Sequence, residues 1–368
     1  MGDRARKGGG KENDTGRAPV SYSQPMSTVI PTLLLLALPA SGKSEVRRYL
    51  GSLSLARAEE DFGLGRPVQI DDYPYVHLMR RISEELRHLY ETPTFFASDE
   101  TPFIEPADWG TLINLVNEDY AALGSSLEPE PGSASGWLLD RIDRARQSVG
   151  LRPVLEDVAD GEQEILKLAV EQDARRLWLD RRETMAGYGP GATVIIEFAR
   201  GGPEGATPPL DAPHGYQYSL SQLSHEVLTT ASVLYVWVTP EESRRRNIER
   251  ARPGIEGDAS ILHHGVPEIV MRQDYGTDDI MWLIEQSDRP GTIRVETSTS
   301  VFHLPVAVFD NRTDKTSFLR GDPGKWPNEA VAVVHADLQM AFDQLTAPDR
   351  IRLSSRLASS GGNELLPT

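Results

Sequence analysis

The sequence predicts an α/β fold, a parallel sheet flanked by helices with a large helical insertion between its second and third strands. Three observations carry this. Short apolar runs of strand length alternate with amphipathic stretches at helical spacing. Each run closes on polar or charged residues, as strands do where their carboxyl ends open onto a site. The first run, Leu33 to Leu36, leads into Ala37-Leu38-Pro39-Ala40-Ser41-Gly42-Lys43-Ser44, a phosphate-binding loop with alanine in place of its usual first glycine.

Residues 1–26 are rich in Gly, Lys, Arg, Asp and Ser, nearly lack apolar side chains, and read as a disordered tail. The core is expected over 27–72 and 190–348, with strands at Thr32–Leu38, Pro67–Ile70, Thr193–Glu197, Val233–Val238 and Val306–Phe309. Between the second and third strands, residues 73–189 are too long for a simple crossover. They carry helical patterns at Tyr75–Tyr90, Asp108–Leu123, Gly136–Val149 and from about Glu162 to Thr184, joined by loops rich in Pro, Gly and Ser. In a nucleotide-dependent transferase such an insertion is where an acceptor substrate is held, which here would fall to residues such as Arg80, Arg81, Trp109 and Asp119. Leu220, Leu223, Val227 and Leu228 form a helical stripe before the fourth strand, residues 253–266 read as a lid, and 357–368 read as a second disordered tail.

The loop's chemistry dictates its residue types. After a buried strand the chain turns so that successive N–H groups face an anion, and a helix starting near Gly42 adds its positive end. Gly42 lets the backbone come close, Lys43 follows the β- and γ-phosphates, and the Ser44 hydroxyl reaches Mg²⁺, so residues 39–44 are expected to bind nucleotide. Lys43 is one of only six lysines in a chain whose bases are otherwise arginine. A Gly-Lys-Ser triplet also arises by chance, but seldom between a strand-like run and a helical pattern. An apolar run ending in Ala-Leu-Pro-Ala-Ser-Gly also resembles a secretory cleavage region, yet it is short, opens with Pro31 and follows a long leader.

Composition narrows the function. A net charge of −17 argues against a nucleic-acid backbone as the main partner, and no other segment approaches bilayer-spanning length. Cysteine is absent, which excludes disulfides and thiolate metal sites and agrees with a reducing, cytoplasmic setting.

Further polar clusters close the later strands. They are Ile70-Asp71-Asp72-Tyr73, Glu197-Phe198-Ala199-Arg200, and Thr239-Pro240-Glu241-Glu242-Ser243-Arg244-Arg245-Arg246 running on to Arg250 and Arg252. In this order they resemble the P-loop small-molecule kinases, the group of uridine kinase, phosphoribulokinase and nicotinamide riboside kinase. The resemblance covers about half the chain, in pieces. It departs at Ala37 and at Phe198, which stands where the group often has glycine. It implies a P-loop NTPase-type core and an ATP- and Mg²⁺-dependent transfer of phosphate to a hydroxyl of a small nucleoside- or sugar-like metabolite. By that resemblance Asp71 is the base, with Asp72 the other candidate. Glu197 helps order Mg²⁺ together with Ser44 or binds the acceptor, while Asp72 and Arg200 contact the acceptor. Arginines from the 244–252 set, Arg246 and Arg250 first, close over the γ-phosphate, and Asn311 lies near the adenine.

Structural readings stand beside these. An Asp-Asp pair after a strand often caps a helix, Glu197 and Arg200 suit an ion pair, and Glu241/Arg245 and Glu242/Arg246 are helical i,i+4 pairs. His263-His264 beside Asp258 and Glu256 lacks a metal-ligand spacing. Tyr216 and Tyr218 share a face if the chain is extended there, where they stack on a base or pack. Asn311-Arg312-Thr313-Asp314 resembles a guanine-reading motif, which keeps a GTP-dependent switch or a regulatory nucleotide-binding module as the alternative function.

Overall fold

The computed structural model describes residues 29–90, 94–127, 129–156, 158–250 and 265–360. The chain runs β1 (Thr32–Leu36), α1 (Lys43–Ser52), α2 (Leu55–Phe62) and β2 (Arg66–Asp71). Four helices follow, α3 (Tyr73–Tyr90), α4 (Asp108–Ala122), α5 (Ala134–Ser148) and α6 (Asp160–Gly187). The sheet resumes with β3 (Ala192–Phe198), α7 (Gly215–Ser221), α8 (His225–Thr230), β4 (Ala231–Trp237) and α9 (Pro240–Arg250). Then come α10 (Glu268–Gln273), α11 (Ile280–Gln286), β5 (Thr292–Glu296), β6 (Val301–Asp310) and α12 (Asn328–Ser360).

The fold is α/β. Six strands in the order β2-β3-β1-β4-β6-β5 form one sheet, parallel except for β5, which pairs antiparallel with β6. A central parallel strand is buried on both faces and so reads as a continuous apolar run. In β1, Leu34 and Leu36 pack with α4, α7, α8 and α11 residues on one face, and Leu33 and Leu35 with α1, α2 and α12 residues on the other. The insertion has its own core, built around Leu78, Ile82, Leu112, Leu138, Leu166 and Val170.

Several elements differ from expectation. β5 carried no continuous apolar run and was not anticipated. The stripe Leu220–Leu228 belongs to two short helices, because Ser224 caps α8 by accepting from the Val227 N–H at 3.3 Å. Tyr216 and Tyr218 lie in α7 rather than on an extended segment. α12 runs to Ser360, past the expected start of the second tail. The first tail, residues 361–368 and the lid as far as 264, with Arg252, Glu256, Asp258, His263 and His264, lie outside the described residues. Among the described residues no helix is long and apolar enough to cross a membrane.

Candidate active site

The loop after β1 is held open from behind. Gly42 sits at φ 98°, and a Cβ there would come 2.4 Å from Thr316 Oγ1 and 2.5 Å from Asn311 Nδ2, so only glycine fits. Ala37 is not among the left-handed residues, which explains why alanine replaces the usual glycine there; Ala40 is, at φ 56°. Four side chains fasten the loop through its carbonyls. Tyr216 Oη donates to Ala37 O (3.0 Å), Ser41 Oγ to Leu38 O (2.5 Å), Ser243 Oγ to Pro39 O (2.6 Å) and Asn311 Nδ2 to Ser41 O (2.7 Å). With the carbonyls so engaged, the N–H groups of residues 40–44 donate to no protein acceptor among the described residues. Unpaired amides at the start of a helix form an anion site.

Two carboxylates stand beside this loop. The register pairs Asp71 with Glu197, so on adjacent strands their side chains leave the sheet together, about 5 Å apart at the backbone. Glu197 is buried and ion-pairs with Arg47 at 2.8 Å and with Lys43 at 3.9 Å. Burial first, then the Glu197 charge, push the Asp71 carboxyl up to about 7, against the pull of Lys43. Asp71 Oδ1 also accepts from the Tyr73 N–H at 2.9 Å, so the helix-capping role and a place at the site coexist.

Asp72 turns the other way, as adjacent residues of an extended chain do. It accepts from Arg200 Nη1 at 2.6 Å, so Arg200 pairs with Asp72 and not with Glu197. The Arg200 guanidinium lies 4.7 Å over the Trp109 ring.

A cavity of about 540 Å³ opens from the phosphate loop into the insertion. Residues 39–44, Asp71, Asp72, Glu197, Arg200 and Arg250 all line it. So do Arg80, Arg81 and Trp109, whereas Asp119 does not; it accepts from Tyr75, Arg141 and Arg181 and ties α3, α4, α5 and α6 together. Two other expected residues stay outside the lining. Arg246 is 3% exposed, donating to Glu242 Oε1 (2.6 Å) and Asn311 O (2.7 Å), which locks α9 to the loop after β6. Asn311 is fully buried, its amide spent on Ser41 O and Thr316 Oγ1 (2.9 Å), so it braces the phosphate loop and has no donor left for a base.

Arg250, by contrast, lines the cavity. It donates to Glu45 Oε1 at 2.7 Å, as does Arg320 at 2.6 Å. Burial alone would raise Glu45, but the two guanidiniums outweigh it and hold the carboxyl below its ordinary value. Arg245 is exposed and pairs with Glu242 and Glu249 rather than Glu241. Asn247 and Val266 exchange two hydrogen bonds, 2.6 and 2.8 Å, so the end of the expected lid is tied to α9.

No protein-family model, curated protein or solved structure matches this chain. The functional reading therefore rests on the site itself. The residues of the cavity wall that sequence reasoning passed over include Phe96, Phe103, Asp274 and Tyr275. The aromatics read as ordinary core, and Asp274 carries no motif. Among the described residues no group of three or more His, Asp or Glu side chains is arranged to hold a metal by itself.

Proposed function

We propose that this chain is a P-loop-type phosphotransferase that moves the γ-phosphoryl group of ATP to a hydroxyl of a small metabolite. The observation that carries the reading is a convergence at one edge of the sheet. A loop with five unpaired amides, Lys43, and two carboxylates at neighbouring strand ends meet at the mouth of one cavity. The strand order supports it, because β1 is flanked by β3 and β4 and the chain changes direction across it, which is where open α/β sheets bind ligands.

The residues suit Mg²⁺. Ser44 offers a hydroxyl and Glu197 a buried carboxylate, both on the wall of the cavity. A hard-oxygen set of this size fits an ion that keeps several waters and draws its other ligands from phosphates. When bound, Mg²⁺ supplies charge neutralisation on the β- and γ-oxygens.

Positioning and proton transfer belong to the protein. The amides of residues 40–44 and Lys43 hold the β- and γ-phosphates. The acceptor's hydroxyl oxygen attacks the γ-phosphorus, the bond to the β,γ-bridging oxygen breaks, and ADP leaves. Asp71 takes the hydroxyl proton, and a carboxyl raised to about 7 is a stronger base than an ordinary one. Arg250 exchanges Glu45 for the γ-phosphate as charge builds on its oxygens, leaving Arg320 on Glu45.

The test is incubation with Mg-ATP and pooled nucleosides, sugars and cofactor precursors, following ADP and new phosphorylated species by mass spectrometry. A product that disappears with Asp71→Asn supports the reading. Nucleotide binding without any product overturns it in favour of a regulatory module.

A further inference from the structure

Part of the cavity wall is shaped by a contact between distant segments. Gly202 and Thr277 exchange backbone hydrogen bonds of 2.9 and 3.2 Å, which lays residues 274–277 against the exit of β3. Gly201 permits this, since a Cβ there would come 2.4 Å from Thr277 O and 2.8 Å from Asp274 O. The contact sets Asp274 and Tyr275 beside Arg200 and Trp109.

Two polar groups in this chamber are buried and unsatisfied. Asp274 is 6% exposed, its carboxyl accepts no hydrogen bond among the described residues, and Oδ2 is wholly shielded from solvent. Arg80 and Arg200 act on it through their charge, yet neither forms an ion pair with it within 4.0 Å. Arg200 is 2% exposed; its Nη1 serves Asp72 and Ala199 O and its Nη2 reaches Trp109 O at 3.4 Å, but Nε has no partner among the described residues. Buried polar atoms are seldom left so. Here the unsatisfied acceptor and the unsatisfied donor belong to two residues of one cavity wall, and the wall around them is aromatic, with Phe96, Phe103, Trp109 and Tyr275 all less than a tenth exposed.

A sugar also stacks a C–H face on aromatic rings, but its hydroxyls present no single edge that sets one donor beside one acceptor. A planar cyclic amide does both: its ring packs on aromatics and its edge carries N–H next to C=O. We propose that the Asp274–Arg200 chamber recognises a lactam ring on the acceptor, with Asp274 accepting the ring N–H and Arg200 Nε donating to the adjacent carbonyl. The word acceptor rests on the phosphotransferase reading; the recognition of the ring does not.

The test measures binding by calorimetry without nucleotide at pH 8, above the value of about 7 to which burial raises the Asp274 carboxyl, so that it is ionised. The probes are inosine and uridine, which carry the lactam edge, their ring-N-methylated counterparts, which lack the N–H, and adenosine and cytidine. At least one lactam binds, its N-methyl derivative and the non-lactam nucleosides bind at least about tenfold more weakly, and Asp274→Asn weakens the lactam by about tenfold or more, as loss of a charge-assisted hydrogen bond does. Asp274→Asn also melts no lower than the parent protein, because it removes a buried carboxyl that no described residue hydrogen-bonds. The inference is overturned if no lactam binds, if N-methylation leaves affinity unchanged, or if Asp274→Asn lowers the melting temperature, which would make the carboxyl structural. A lactam that binds but is never phosphorylated overturns the phosphotransferase reading and leaves the chamber's specificity standing. Phosphorylation of sugars alone with no lactam bound does the reverse.

Discussion

The Asp274 carboxyl makes a stability prediction independent of any ligand. It is 6% exposed, and burial pushes it up to about 7 from an ordinary 3.8, against the opposing pull of Arg80 and Arg200. Between those two values the native state holds a proton that the unfolded state has released. Stability therefore falls as pH rises through the window and stays low above about 7. Integrating the linkage for this one group from pH 5 to pH 8 gives a loss of about 2.5 kcal/mol. Asp274→Asn cannot titrate and escapes it, while every other group titrates alike in both proteins and cancels. The variant is thus expected to gain about 2.5 kcal/mol on the parent between pH 5 and pH 8. At about 2.1 cal/mol/K of unfolding entropy per residue, that is about 3 °C in melting temperature. Paired thermal and urea melts at the two pH values measure it. An unchanged gap between parent and variant would refute the reasoning, since Asp274 would then be ionised in the native state at pH 5 as in the unfolded one.

Gly42→Ala adds left-handed strain and a Cβ 2.4 Å from Thr316 Oγ1; it is expected to cost about 2–4 kcal/mol in denaturant melts and to abolish nucleotide binding, and a stable, ATP-binding variant would show the loop is not held as described. Arg246 and Arg250 should separate by what they lose. Arg246→Met leaves Asn311 O and Glu242 short of a donor and is expected to cost about 2–3 kcal/mol of stability. Arg250→Met is expected to melt close to the parent protein and to lose about a hundredfold in kcat. The kcat/KM of the phosphotransfer is expected to rise with pH through about 7, as Asp71 in the free protein gives up its proton; a rate flat from pH 5.5 to 8.5 would remove Asp71 as the base.

The parts of this protein legible in its sequence are those where chemistry restricts residue types locally. Interior parallel strands must be apolar on both faces, so β1, β3 and β4 stand out, and a phosphate loop needs Gly42, Lys43 and Ser44 in fixed order. β5 alternates Ile293 and Val295 with Arg294 and Glu296, the pattern of an edge strand, and a search for continuous apolar runs passes over it. The arginines show a different limit. Spacing puts Arg246 and Arg250 on one face of α9, but the loop after β6, more than sixty residues on, covers the Arg246 end, while Arg250 meets Glu45 of α1. Asn311 fails for a similar reason: its motif suggests base reading, while its amide is consumed by a loop 270 positions earlier. Asp274 is the extreme case. Its significance lies in the partner it lacks, and that becomes visible only once Gly201 has let the chain fold back beside Arg200. A pairing can leave a complementary trace in sequence; an unpaired buried carboxyl leaves none, which is why the group that best discriminates substrates in this reading is the one no motif could announce.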